Sequence, residues 1–247
     1  MNKRPVFLAA RWEYLIMMNY SVEPELLIPH LPPYTELDLF EGKALVSVVG
    51  FLFNNTRVLG VPWPMHTRFE EVNLRFYVRH FDGKEWKRGV AFISEIVPRA
   101  IISIMANRLY NEHYSTAQMK HTIDVTDREI AVAFYWKKRK AEWNSIEVLA
   151  ENQPGPLLPG SEAHFILEHY WGYNMLNPTT TIEYAVEHAS WEIFPVKHFK
   201  LVADVEGLYG KSFAPFIQNK SPQSVFLALG SDVVVRKPTR IVRSMIA

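Results

Sequence analysis

The chain has 247 residues, 48% of them hydrophobic and 21% charged, with a net charge of +1 and no cysteine. That is ample for a sizeable core, and one domain spanning residues 1–247 is expected. The near-neutral balance gives no field for nucleic acid or an anionic membrane, and the missing thiols exclude disulfides, thiolate catalysis and Cys-ligated zinc.

Residues 5–20, PVFLAARWEYLIMMNY, read as a buried strand or strand pair. Arg11 and Glu13 interrupt the apolar stretch too early for a signal peptide. No apolar run approaches the roughly 20 residues that cross a bilayer. A soluble cytoplasmic protein with no membrane partner is the expectation. Pro24 suits the first turn of a short helix that turns Leu26, Leu27 and Leu31 inward and ends at Pro32–Pro33. TELDLF, 35–40, alternates. ALVSVVGFLF, 44–53, is apolar on both faces and should be covered on both sides, with Gly50 marking a bulge or a close backbone approach. Gly60, Pro62 and Pro64 make 54–68 a loop, either an aromatic lid over a site or packing across the end of the fold.

FEEVNLRFYVRH, 69–80, alternates Val72, Leu74, Phe76 and Val78 against Glu71, Asn73, Arg75, Tyr77 and Arg79. That period is a strand whose faces see different surroundings, and the polar face meets either solvent or a wet cavity. The Asp82-Gly83 turn leads to a partner strand, 86–97. Pro98 then opens a helix with Ile101, Ile104, Met105 and Leu109 inward. Residues 113–125, 129–138 and 143–150 read as strands, and the basic run Lys137–Lys140 as a solvated hairpin tip, not a nucleic-acid patch. Beyond the breaker cluster 151–160, Ser161 caps a helix with Ala163, Ile166, Leu167 and Tyr170 on one face, ended by Trp171-Gly172-Tyr173. Strands follow at 179–188, 191–194 and 200–205. A helical turn lies within 208–217, stopped by Pro215, and a β pair turns around Gly230-Ser231. Many short strands with few short helices predict a β-rich, α+β fold, a barrel or sandwich with helices packed on it.

Chemistry-bearing patterns are sparse. His164 and His169 are not spaced as a helical i, i+4 pair, and no H-E-x-x-H occurs, so no metal site is expected. No nucleotide-binding or serine-hydrolase motif is present, and no cofactor is expected. In a 69–80/86–97 hairpin, Glu71 and Glu95 come to the same end, with Arg75 on the face of Glu71. Two carboxylates in one low-dielectric cavity push one pKa toward neutrality and suit proton transfer. A charged cross-strand pair on a wet outer face would give the same pattern. Lys120 is either a Schiff-base lysine or an exposed one.

ARWEYLIMMNY, LVSVVGFLFNNTRVLGVPWP, FEEVNLRFYVR, RGVAFISEIVPR, RLYNEHY and FILEHYWGY…IEYAVEHASW together resemble the YqjF-like family, a domain of unknown function grouped with acetoacetate decarboxylase-like proteins. The resemblance implies a closed, cone-like antiparallel β-barrel with an internal cavity and flanking short helices. It implies a cavity glutamate at Glu71 and a cavity arginine at Arg11. The decarboxylase run R-E-L-x-G-x-P-K-K, which carries the Schiff-base lysine, corresponds here to 108–114. The glycine, the proline and both lysines are missing, which leaves Lys120 as a shifted substitute. The expectation is therefore the fold without acetoacetate decarboxylation itself. The pocket would have Glu71, Glu95 and Lys120 as catalytic candidates and Arg11, Arg75, Tyr110 and His113 as substrate-binding candidates. It would take a small molecule bearing a carboxylate or carbonyl. The other expectation is a non-catalytic binding or structural barrel, and a homo-oligomer through free strand edges is compatible with either.

Overall fold

The computed structural model describes residues 4–62, 67–98 and 114–242. The first strand, β1 (Val6–Val22), is a single long ribbon, and α1 (Pro24–Leu27) follows with Pro24 in its first turn and Leu27 buried. After the short β2 (Glu36–Leu37) comes β3 (Ala44–Val58), whose residues 44–53 are all buried. This strand runs further than expected. It turns at Leu59-Gly60, both with positive φ, into β4 (Val61–Pro62), so the first half of the expected loop is a hairpin.

The strand β5 (Phe69–Phe81) pairs antiparallel with β6 (Trp86–Val97), as the alternation and the Asp82-Gly83 turn predict. The helix expected beyond Pro98, with Ile101, Ile104, Met105 and Leu109, lies outside the described residues. Then come β7 (Tyr114–Thr116), β8 (Gln118–Val125), β9 (Glu129–Lys137) and β10 (Asn144–Glu151). Ser161 caps α2 (Glu162–Leu167), its side chain accepting from the His164 amide at 3.1 Å. Tyr170 is not part of that helix, and Trp171-Gly172-Tyr173 opens β11 (Trp171–Asn177). After β12 (Thr180–His188), β13 (Ile193–Phe194) and β14 (Val196–Val202) come α3 (Val205–Tyr209) and α4 (Ala214–Ile217). Pro215 stands in the first turn of α4, where its missing N–H costs nothing, so it does not stop a helix as expected. Finally, β15 (Ser224–Arg236) is one strand, not a hairpin about Gly230, and β16 (Thr239–Val242) follows it.

Two sheets result. The large one is ordered β13-β15-β1-β3-β5-β6-β11-β12-β16, and β12 also pairs with β15 through Val186–His188 against Val233–Val235. The second is ordered β14-β10-β9-β8. It covers the outer face of β1, β3 and β5. Val48, Leu52, Val72, Leu74 and Phe76 share an apolar cluster there with Ile130, Val132, Phe134, Trp136 and Ile146. Gly50 faces this layer, and a Cβ on it would stand 2.8 Å from Ile146 Cγ2 and 3.1 Å from the Phe134 ring, so the glycine permits a close approach of the two sheets. The inner face carries a second cluster of Met17, Val49, Phe51, Phe53, Phe69, Tyr77, Tyr184 and Trp191, joined by Phe165, Ile166 and Leu167 of α2. The Ala131 and Ala133 side of β9 looks away from both clusters, alongside Tyr135.

Candidate functional site

Both faces of β5 are buried, and the polar one is the inner one. Val72, Leu74, Phe76 and Val78 go to the sheet-sheet layer, which forces Glu71, Asn73, Arg75 and Tyr77 onto the inner face. Glu71, Asn73 and Arg75 are only 3%, 2% and 9% exposed. Register places Glu95, 1% exposed, directly opposite Asn73 and diagonal to Glu71. Opposite Cβ atoms in such a pair lie ~5 Å apart and diagonal ones ~7 Å. Asn73 Nδ2 donates to Glu71 Oε1 at 2.9 Å, and Arg75 Nη2 reaches Met17 Sδ at 3.6 Å. Among the described residues Asn73 Oδ1 and Arg75 Nε have no hydrogen-bond partner. Buried donors and acceptors are ordinarily satisfied, so this concentration of polar groups in an apolar interior is unusual.

Below Arg75 the inner face carries a second polar level. Tyr77 and Ser47 share a 2.5 Å bond, and Ser47 Oγ donates to Asn19 Oδ1 at 2.5 Å. Asn19 Nδ2 donates to Ser224 Oγ at 2.9 Å, and Ser224 Oγ donates to Glu162 Oε1 at 2.5 Å. The register pairs Asn19↔Ser47 and Asn19↔Ser224 carry this belt across β3, β1 and β15 to the start of α2. Ser47 spends its proton on Asn19, so the Tyr77 hydroxyl is the donor in their shared bond.

Three further residues meet beside Tyr77. Arg88 Nε donates to Asp38 Oδ2 at 2.6 Å, and His169 Nε2 lies 3.1 Å from the same oxygen. The His169 ring packs at 4.9 Å from Tyr77 and 5.1 Å from Phe165. Burial raises the Asp38 pKa, but the bonds from His169 and Arg88 outweigh it and hold the carboxyl below its ordinary value. Burial pushes His169 down to about 4, against the opposing pull of Asp38. No sequence pattern singled out this group, because Asp38 and His169 stand 131 residues apart.

The other expected site residues are not gathered here. Arg11 is half-exposed and pairs with Glu13 at 3.3 Å and Asp232 at 3.5 Å. Lys120 is exposed on β8, on the far side of the second sheet, with its ammonium 5.2 Å from the Tyr135 ring and 4.8 Å from that of Trp143. Its neighbour His121 turns the other way and bonds Glu70 at 2.6 Å. Burial raises the Glu70 pKa, but that bond and the charges of His121 and Arg68 bring it below its ordinary value. Tyr110 and His113 lie outside the described residues. Among the described residues no group of three or more His, Cys, Asp or Glu is placed to hold a metal ion, and no helix is long and apolar enough to cross a membrane.

Comparison with solved structures finds the same architecture in acetoacetate decarboxylase-like enzymes. The acetoacetate decarboxylase of Legionella pneumophila matches with a TM-score of 0.62 at 14% identity, over 99% of this chain and 91% of that one. An acetoacetate decarboxylase-like enzyme from Sphingomonas wittichii RW1 matches with a TM-score of 0.66 at 12% identity, over 96% and 94%. The enduracididine biosynthesis enzyme MppR, solved in complex with pyruvate, matches with a TM-score of 0.63 at 12% identity, over 98% and 91%. Identities this low establish the fold alone. In sequence, the uncharacterized protein YqjF of Bacillus subtilis strain 168 is 28% identical over 110 residues, and the match spans 44% of each chain. The model of the DUF2071 family, described as an uncharacterized conserved protein, matches residues 9–232. This chain therefore belongs to the DUF2071 family, on an acetoacetate decarboxylase-like fold.

Proposed function

We propose that the β12–β15 pairing closes the large sheet into a barrel, a single domain whose interior binds a small organic molecule bearing a carboxylate or carbonyl. The observation that carries this reading is the burial of Glu71, Asn73, Arg75 and Glu95 on one inner face, with Arg75 Nε and Asn73 Oδ1 unpartnered among the described residues. A guanidinium in a low-dielectric interior holds a carboxylate through charge-assisted hydrogen bonds. Glu71 and Glu95 sit diagonally across the β5–β6 ladder, and one of them would move a proton to or from the bound molecule. This lyase-like chemistry runs without a Schiff-base lysine, since Lys120 lies on the outer surface. Tyr110 and His113, which precede the strand that begins at Tyr114, stay candidate ligand contacts from the sequence alone. The cysteine-free sequence suits work in a reducing cytoplasm. A non-catalytic binding barrel is the second reading, favoured by the dense aromatic wall of Phe51, Phe53, Phe69 and Trp191 around the polar patch.

A thermal-shift panel of 2-keto and 2-hydroxy acids, with pyruvate included because MppR was solved with it, tests the site on the full chain. At least one acid raises the melting temperature of the wild type, and Glu71→Gln and Arg75→Met abolish the rise. An equal rise in all three proteins places binding elsewhere. Turnover of the bound acid, followed by NMR, separates the catalytic from the binding reading.

A further inference from the structure

We propose that His169 Nδ1 is a ligand contact of the interior site, an acceptor fixed in place to receive a hydroxyl, amide or enol proton of the bound molecule. The inference rests on the interior-site reading above and adds to it a residue and a donor requirement on the ligand.

The tautomer follows from its partners. Asp38 Oδ2 already accepts from Arg88 Nε at 2.6 Å, and an ionised carboxylate has no proton to give. The His169 nitrogen 3.1 Å from that oxygen must therefore carry the hydrogen. One neutral imidazole holds one N–H, so Nδ1 is left with a bare lone pair. The ring does not take a second proton near neutrality, because burial holds its pKa at about 4. The His169 side chain is 1% exposed, and Nδ1 has no hydrogen-bond partner among the described residues. A buried acceptor left empty costs stability, and such exceptions need a reason. The surroundings supply one. The ring packs on Tyr77, the Arg75 guanidinium lies 5.7 Å from the centroid of the same Tyr77 ring, and the charge of Arg75 acts on the imidazole. Arg75 would take the anionic end of a ligand and His169 Nδ1 a proton-bearing group beside it. A hydroxy acid, an amino acid derivative or the enol of a keto acid has both, whereas a simple aliphatic carboxylate has only the first.

Two substitutions separate contact from support. His169→Gln places an amide N–H near the Nε2 position, so it keeps a donor for Asp38 and removes the Nδ1 acceptor. His169→Asn places an amide oxygen near the Nδ1 position and gives up the donor to Asp38. With the best-binding acid of the panel, His169→Gln melts near the wild type yet binds about tenfold more weakly. His169→Asn melts lower yet keeps more of the binding. In full-length protein labelled with 15N-histidine, Nδ1 is unprotonated at pH 7, and its resonance moves on saturation with that acid. A protonated Nδ1 in the free protein, or a resonance unmoved while the acid is bound, overturns the inference and leaves the interior site standing. If no acid binds the wild type, the interior reading falls and this inference falls with it.

Discussion

Arg88, Asp38 and His169 come from a strand, a connecting segment and the residues after a short helix, and they share one carboxylate oxygen. The arrangement makes the protein acid-sensitive in a defined window. The folded-state pKa of His169 is about 4 against an ordinary 6.5, so between those values the unfolded chain binds a proton that the folded chain refuses. Stability is full above pH 6.5 and falls as pH drops toward 4, by about 2 kcal/mol between pH 7 and 5 from this ring alone. His188 is also held below its ordinary value, chiefly by burial, and adds loss of the same sign. Asp38, Glu70 and Glu168 have depressed values, so their contributions hold above their ordinary carboxylate range and disappear further into acid. Urea midpoints at pH 7 and 5 measure the effect. His169→Gln should flatten most of the slope between them, and an unchanged slope would mean that His169 is not buried neutral.

At the scale of the element, the strands with a clear period were legible and the meaning of their faces was not. The alternation of β5 separated Glu71, Asn73 and Arg75 from Val72, Leu74 and Phe76, but a period of two says only that the faces differ. Which face is inside depends on β8, β9 and β10 arriving to cover the apolar one, a contact between distant parts of the chain. Two elements misread as breaks show the same limit. Gly230 looks like a hairpin tip, yet β15 runs through it at φ 84°, because the missing Cβ lets the Trp12 carbonyl come close. Trp171-Gly172-Tyr173 looks like a helix end, yet Gly172 leaves the space that the Tyr184 ring fills across the β11–β12 pair. Of the two meanings the sequence leaves open for Gly50, a bulge or a close approach, the structure shows the second: a side chain has no room there. Gly50→Ala forces the Ile146 methyl and the Phe134 ring apart and should cost ~1–3 kcal/mol, read as a lower urea midpoint with an unchanged m-value. A neutral substitution would show that the two sheets are not in close contact there.

For the molecule as a whole, the inner polar site depends on whether the large sheet is a ring or an open curve. The pairings lead from β15 through β1, β3, β5, β6 and β11 to β12, and the return step is short: Val186, Glu187 and His188 against Val235, Val234 and Val233. Arg236 and Glu187 span the same seam with two hydrogen bonds, Nε to Oε1 at 3.0 Å and Nη2 to Oε2 at 2.8 Å. That pair is partly exposed and contributes little by itself, so the backbone ladder and the valines must hold the seam. A closed ring has no free edge at this point, and its hydrogen bonds open only with large parts of the barrel. Native-state hydrogen exchange distinguishes the two cases. In a closed barrel the hydrogen-bonded amides among residues 186–188 and 233–235 exchange as slowly as those of β3 and β5, near the global unfolding limit. In an open sheet they exchange orders of magnitude faster than the centre of β3. Water then reaches Glu71 and Arg75 from the side, the low-dielectric interior that raises a carboxylate pKa and strengthens an arginine-carboxylate bond is lost, and the ligand chemistry goes with it.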